Sequence, residues 1–196
     1  MQSERLFKQI EFIKEIDKVK YIQRKTRLIN SDRNENDAEH SWHLAMMALI
    51  LLEYSNEAVD LLKVLKMVLI HDIVEIDAGD TFLFETTKNH LNSDEELVAA
   101  KRIFGILPND QATEMIEIWQ EFELGETKEA KFAKAIDRFE PILQNTSNNG
   151  GTWAEFKVKF ETVRQKLKSI ANSSKTIWDF SENLLNEAKE NGVFDA

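Results

Sequence analysis

No cysteine occurs among the 196 residues. That removes disulfides, thiolate metal sites and cysteine nucleophiles together, and it points toward a reducing, cytoplasmic setting. Proline (2) and glycine (6) are scarce, which leaves little material for a turn-rich β architecture. Long apolar runs are missing as well. The longest, residues 44–52, falls far short of the roughly 20 residues a membrane helix needs and reads as a buried helix. The opening Met1-Gln2-Ser3-Glu4-Arg5 is charged from the outset and lacks the apolar stretch of a secretory signal. Positive charge is in deficit: 25 basic against 35 acidic residues give a net charge of -10. A surface of that sign repels nucleic acids and anionic membranes, and no long basic patch offsets it. A small substrate fits this charge better, especially where a cation neutralises it locally.

What remains is helical. Apolar residues make up 42% of the chain, and Leu6, Ile10, Ile13, Ile16, Val19 and Ile22 recur every three or four residues as one amphipathic face. Residues 26–37 are polar and read as a loop. A second helix starts at Asp37 or Ala38, with Asp37 as N-cap, and runs to about Tyr54. Asp60 caps a third, which ends between His71 and Glu75; Gly79 breaks it, and residues 73–90 read as loop with short turns. Ser93-Asp94-Glu95-Glu96 opens a helix ending at Gly105, and Pro108-Asn109-Asp110 opens another ending at Gly125. Residues 126–145 form the next. A polar turn at 145–151 precedes the last two helices, 152–171 and 174–190. The expectation is one all-α domain over residues 1–196, a bundle of seven to nine helices whose core spans about 20–145.

The chemistry concentrates in few residues. His71-Asp72 ends Leu61-Leu62-Lys63-Val64-Leu65-Lys66-Met67-Val68-Leu69-Ile70, a run apolar almost all the way round and therefore interior. An imidazole and a carboxylate there are costly unless satisfied, and a divalent ion would satisfy both. Only four histidines exist. His40 and His43, within Glu39-His40-Ser41-Trp42-His43, share a helix face, although His43 reads equally as an ordinary half-buried histidine. The remaining candidate ligand is Asp137 in Ala135-Ile136-Asp137-Arg138-Phe139-Glu140-Pro141. It lies on the flank of an apolar stripe, beside Ala130 and Ala133, which leave room for an ion. Pro141 should distort the helix at Asp137. The plainer reading pairs Asp137 with Arg138 or Lys134.

Taken in order, His40, His71-Asp72 and Asp137 resemble the H…HD…D pattern of the HD-domain metal-dependent phosphohydrolases, over residues 20–143. The nearest branch by resemblance is the compact HD proteins that act as 5′-deoxynucleotidases. That resemblance implies one divalent ion (Mn²⁺, Co²⁺, Fe²⁺, Zn²⁺ or Mg²⁺) held by His40, His71, Asp72 and Asp137, and hydrolysis of a small phosphate ester, a nucleoside 5′-monophosphate. It implies that Glu75 orients or deprotonates the attacking water and that Asp80, after Gly79, faces the sugar or that water. Glu75 reads otherwise as a helix-end acid, and Gly79-Asp80 as a turn. Glu39 is expected to support a ligand histidine. Arg24 is the resembling phosphate-binding cation, with Arg27 and Arg33 as competitors. Lys25-Thr26 departs from the pattern, since an aromatic is expected there, and leaves another phosphate ester open. Family habit and abundant apolar helix faces suggest a homodimer.

Other functions stay in view. The same fold and metal would serve a phosphodiesterase or a pyrophosphohydrolase. A di-iron oxygenase would need more histidine than His43 and His90 supply. A non-catalytic helical interaction module would keep the ion for structure alone and would have no use for Glu75 and Asp80.

Overall fold

The computed structural model describes residues 2–84 and 93–194. Ten α-helices occur among them: α1 (Gln2–Ile16), α2 (Asp37–Leu51), α3 (Leu61–Ile70), α4 (Glu75–Ala78), α5 (Ser93–Phe104), α6 (Asn109–Leu124), α7 (Lys128–Ser147), α8 (Gly151–Glu155), α9 (Phe160–Leu167) and α10 (Lys175–Glu190). Single 3₁₀ turns follow α1, α2, α3 and α9. One small hairpin interrupts the all-α pattern: β1 (Gln23–Arg27) pairs antiparallel with β2 (Asn34–Asn36), with an irregularity between the pairs Gln23–Asn36 and Arg27–Asn34.

Local chemistry accounts for the helix ends. Asp60 Oδ1 accepts from the amides of Leu62 and Lys63 at 3.0 and 3.3 Å, as a capping aspartate should. Thr127 and Ser174 cap α7 and α10 in the same way. Gly125, left-handed at φ 64°, closes α6. The cap of α2 is Asn36 rather than Asp37. Asn36 Oδ1 accepts from the Glu39 amide at 3.0 Å while Glu39 Oε2 accepts from the Asn36 amide at 3.1 Å.

Helix α7 is the axis of the bundle. It touches α2, α3, α6 and α10, and Ala130, Phe132, Ala133 and Ile136 on it are wholly buried. It runs unbroken through Pro141. The expected distortion does not interrupt it, because neighbours on several sides hold the helix that one lost backbone bond would otherwise loosen. Helices α3 and α2 pack on it through Val64, Met67, Val68, Leu44 and Ala48, and the hydrophobic core continues through Trp153 and Leu185 to Phe194.

Three expectations need correction. The polar stretch 26–37 contains the hairpin. Its inward residues are Thr26 and Glu35 (7% and 1% exposed), so no apolar alternation announces it. The helix read over 152–171 is divided: Lys157 turns left-handed (φ 50°) and separates α8 from α9, which lets both Trp153 and Phe160 reach the core. The amphipathic face of residues 6–22 does not all face inward, since Leu6 and Ile13 are 58% and 57% exposed. Trp42, Met46, Leu49 and Ile50 also line an exposed stripe of α2. Of the sequence landmarks, His90 and the side chains of Ser93 and Asp94 lie outside the described residues. No helix among the described residues is long and apolar enough to cross a membrane.

Candidate metal centre

Three elements bring the four expected ligands together. His40 comes from the first turn of α2 and is fully buried. His71 and Asp72 open the 3₁₀ turn (His71–Val74) into which α3 tightens. Asp137 projects from the middle of α7. His40 Nε2 lies 3.1 Å from Asp137 Oδ1 and 4.0 Å from Asp72 Oδ2. His71 Nε2 lies 3.0 Å from Asp72 Oδ1 and 3.8 Å from Asp137 Oδ1. Donor atoms of His40, His71 and Asp72 all fall within 4.8 Å of one another. Asp137 therefore pairs with the histidines and not with Arg138 or Lys134.

The hydrogen bonding of His71 tests whether an ion fits. Its Nδ1 is 3.0 Å from the Val68 carbonyl, an acceptor only, so Nδ1 carries the hydrogen. In the neutral ring Nε2 is then a bare lone pair, buried without a hydrogen-bond partner and aimed at carboxylates. Lone pair against carboxylate is repulsive unless a proton or a metal cation stands between them. Two imidazole nitrogens and two carboxylates, buried but for the partly open Asp137, fit a divalent ion.

The protonation equilibria carry the same message. Burial and Arg24 work against charge on His40, but Asp137, Glu140 and Glu35 outweigh them and raise its pKa well above the usual imidazole value. Burial opposes charge on His71 too, yet Asp72 and Asp137 lift it to about 9. Burial would raise Asp137, but its bonds to His40 and His71 hold it well below the carboxylate range. These carboxylates hold protons on the imidazoles, and the same field would hold a dication in their place.

Behind His40 lies a layer that sequence reasoning missed. His40 Nδ1 sits 3.3 Å from Glu35 and 3.5 Å from Glu140, both essentially without exposure. Gln144 bridges the two acids, with Nε2 donating to Glu35 at 2.8 Å and also to Glu140. Glu140 also holds His43 at 3.0 Å, so His43 is the ordinary paired histidine and not a ligand. Burial opposes ionisation of Glu140, but bonds to His40 and His43 bring it to about 2; burial pushes Glu35 up. Glu140 had a legible signal, an acid three residues beyond Asp137 on a helix otherwise apolar on that side. Glu35, in a polar stretch, had none. Glu39, the expected support, instead caps α2 and takes a two-pronged bond from Arg33 at 2.9 and 3.0 Å.

On the open side of the site a cavity of about 260 Å³ is lined by Asp72, Asp137, Glu75, Asp80 and Arg24. Burial first, then Asp72, Asp37 and Asp80, push the Glu75 carboxyl up to about 11. Burial raises Asp80 as well. Positive charge from a bound ion would draw both back down. Asp37, read only as a cap, is fully buried with neither oxygen hydrogen-bonded. Burial and Asp72 raise it to about 7.

Of the three candidate arginines, one is at the site. Arg24 Nη1 donates to Asp72 Oδ2 at 2.8 Å and lies 3.6 Å from Asp37, with Nε 3.5 Å from Glu35. Arg27 turns to Glu155 (3.0 Å) and Arg33 to Glu39; neither lines the cavity. Each is drawn to a surface carboxylate of its own. The aromatic surface absent at Lys25-Thr26 arrives from elsewhere, since Phe82, Phe84 and Trp153 line the cavity.

The HD domain family profile matches residues 16–178. A crystal structure of a "Predicted metal-dependent phosphohydrolase" from Magnetospirillum magnetotacticum MS-1 is 46% identical, covers 100% of this chain and 98% of its own, and superposes with a TM-score of 0.95. A Pyrococcus horikoshii OT3 protein shares the fold at 23% identity and a TM-score of 0.64, over 93% of this chain and 99% of its own. Among curated relatives, human 5′-deoxynucleotidase HDDC2 is 28% identical over 69% of this chain, and its Dictyostelium discoideum namesake 30% over 69% of this chain and 74% of its own. The match spans 65% of the human protein's length, just under two thirds.

Proposed function

The chain belongs to the HD domain family, and on that footing we propose that it is a divalent-metal-dependent phosphohydrolase that removes the phosphate from nucleoside 5′-monophosphates, deoxynucleotides among them. One observation carries the reading: the buried His71 Nε2 and His40 Nε2 converging on Asp72 and Asp137 at 3.0 to 4.0 Å, beside a cavity. His40, His71, Asp72 and Asp137 would hold the ion. The two-imidazole, two-carboxylate set favours Mn²⁺, Co²⁺, Fe²⁺ or Zn²⁺ over Mg²⁺. When bound, the ion supplies Lewis-acid charge for the phosphate oxygens and acidifies a water.

The chain's own residues do the rest. Glu75 accepts the proton of the water that attacks phosphorus. Asp80, beside it, orients that water or the sugar. The bond from phosphorus to the 5′-oxygen breaks, that oxygen takes up a proton from solvent, Glu75 returns its own proton to solvent, and the nucleoside leaves as a neutral alcohol on the side lined by Phe82 and Phe84. Arg24 supplies fixed positive charge at the cavity wall and keeps Asp72 ionised: burial raises this carboxyl, but His71 and Arg24 bring it to about 2.

A panel of nucleoside mono-, di- and cyclic phosphates, assayed for released phosphate with each ion, tests the proposal. Release from 5′-monophosphates alone is the expected result. Cleavage of cyclic phosphates or of diphosphates in preference would move the reading to a phosphodiesterase or pyrophosphohydrolase. The exposed apolar stripes on α1 and α2 support a homodimer, checked by light scattering after gel filtration.

A further inference from the structure

We propose that Arg138 is the cation that grips the phosphate oxygens of the substrate, an inference that rests on the phosphohydrolase reading above. The chain has seven arginines. Six of them meet carboxylates: Arg5, Arg24, Arg27, Arg33, Arg102 and Arg164 pair with Asp110, Asp72, Glu155, Glu39, Asp77 and Glu182. Arg138 alone meets none among the described residues. In a chain of net charge -10, acidic partners are abundant, so a half-buried guanidinium without one is the exception.

Its position supplies the reason. Arg138 lines the same cavity as Asp72, Asp137 and Glu75 and directly follows Asp137 on α7. Among the described residues its one side-chain hydrogen bond runs from Nη1 to Ser169 Oγ, on the 3₁₀ turn Lys168–Asn172. A guanidinium carries five N–H donors in a planar fork. A neutral hydroxyl that takes one of them orients the group without neutralising it. What remains is charge and donors shaped for two phosphate oxygens.

The other cations of the cavity are committed or peripheral. Arg24 is held by Asp72, with Asp37 and Glu35 close by. The Lys134 ammonium sits 4.5 Å above the Phe122 ring and 3.8 Å from Glu123. Lys25 is exposed at the rim. Arg138 is thus the cation with unused capacity.

Calorimetric titration of inorganic phosphate into the metal-loaded protein tests this, alongside KM and kcat for a nucleoside 5′-monophosphate. Arg138→Gln should weaken phosphate binding and raise KM by about tenfold or more, the loss expected for a charge-assisted fork. Arg138→Lys should fall between the two, because it keeps charge and loses the fork. Ser169→Ala removes only the orienting bond and should stay within about threefold of the parent. Phosphate affinity in Arg138→Gln within twofold of the parent would overturn the proposal. So would an equal loss in Ser169→Ala, which would mean that Arg138 acts by tying the 168–172 turn to α7. A parent protein that binds phosphate through Arg138 yet hydrolyses no ester would support the anion site and sink the phosphohydrolase reading instead.

Discussion

Removal of the metal should destabilise the whole fold, because the ion would sit where three packed elements meet. Asp72, Asp137, Glu75 and Asp80 line one cavity, with Asp37 against Asp72 and Glu75, and Arg24 is the permanent cation paired with Asp72 among them. At an effective dielectric of about 20, two like charges about 4 Å apart repel by roughly 4 kcal/mol, so the metal-free site keeps its acids apart only by retaining protons. The raised Glu75, at about 11, reports that. A dication relieves the conflict in the native state alone. At about 100 times its Kd it stabilises that state by roughly 2.7 kcal/mol. For a chain of this size each kcal/mol shifts Tm by about 2–4 °C, so the expected rise is about 5–11 °C over the chelated protein. Scanning calorimetry at constant ionic strength, with chelator or with millimolar Mn²⁺ or Co²⁺, measures it. Asp137→Asn keeps the side-chain volume and removes a ligand, and its metal-dependent rise should shrink to under about 2 °C. An undiminished rise in that variant, or none in the parent with any divalent ion, would refute the reasoning.

Metal binding should release protons. His71 is protonated below about 9 and His40 is raised as well, so apparent affinity should climb about tenfold per pH unit for each displaced proton, with the His71 proton dropping out of the count above about 9; titration in buffers of different ionisation enthalpy counts them, and a pH-independent affinity would exclude both histidines as ligands. Glu75→Gln should keep the ion, read by elemental analysis, while kcat falls by roughly 10²–10⁴; parent-like turnover would remove Glu75 from the chemistry. Glu140→Ala should cost about 3–5 kcal/mol in urea unfolding and weaken the metal about 10- to 100-fold, and unchanged metal affinity would show that it does not position His40. Because Glu140 sits at about 2 when folded, below the ordinary value of about 4.3, its contribution is present above that value and fades as pH falls toward 2. The gap in stability between parent and Glu140→Gln should therefore close in acid.

The candidate ligand set was legible because metal chemistry admits few residue types. A chain without cysteine, holding four histidines, leaves few ways to build a site, and an imidazole beside a carboxylate at the end of an apolar helix stands out. Helix limits were legible where a side chain acts on its own neighbours, as at Asp60, Ser174 and Gly125. Local rules failed where a partner lay far along the chain. Arg27, Arg33 and Arg24 look alike in sequence. Glu155 and Glu39 take the first two, and Asp72, 48 residues away, takes the third. Glu35 and Asp37 read as loop and cap, yet both are buried, one behind His40 and one beside Arg24.

By itself, then, the sequence determined the helical class, most helix ends and the identity of the candidate ligands, since periodicity, capping and ligand chemistry are properties of residue types and short spacings. Tertiary structure alone decided which charges meet. The hairpin turns Glu35 and Thr26 inward, α7 brings Asp137 to His40 across 97 residues, and Arg138 meets no carboxylate among the described residues. A charge finds its partner through the packing of whole elements, and no local pattern records that outcome.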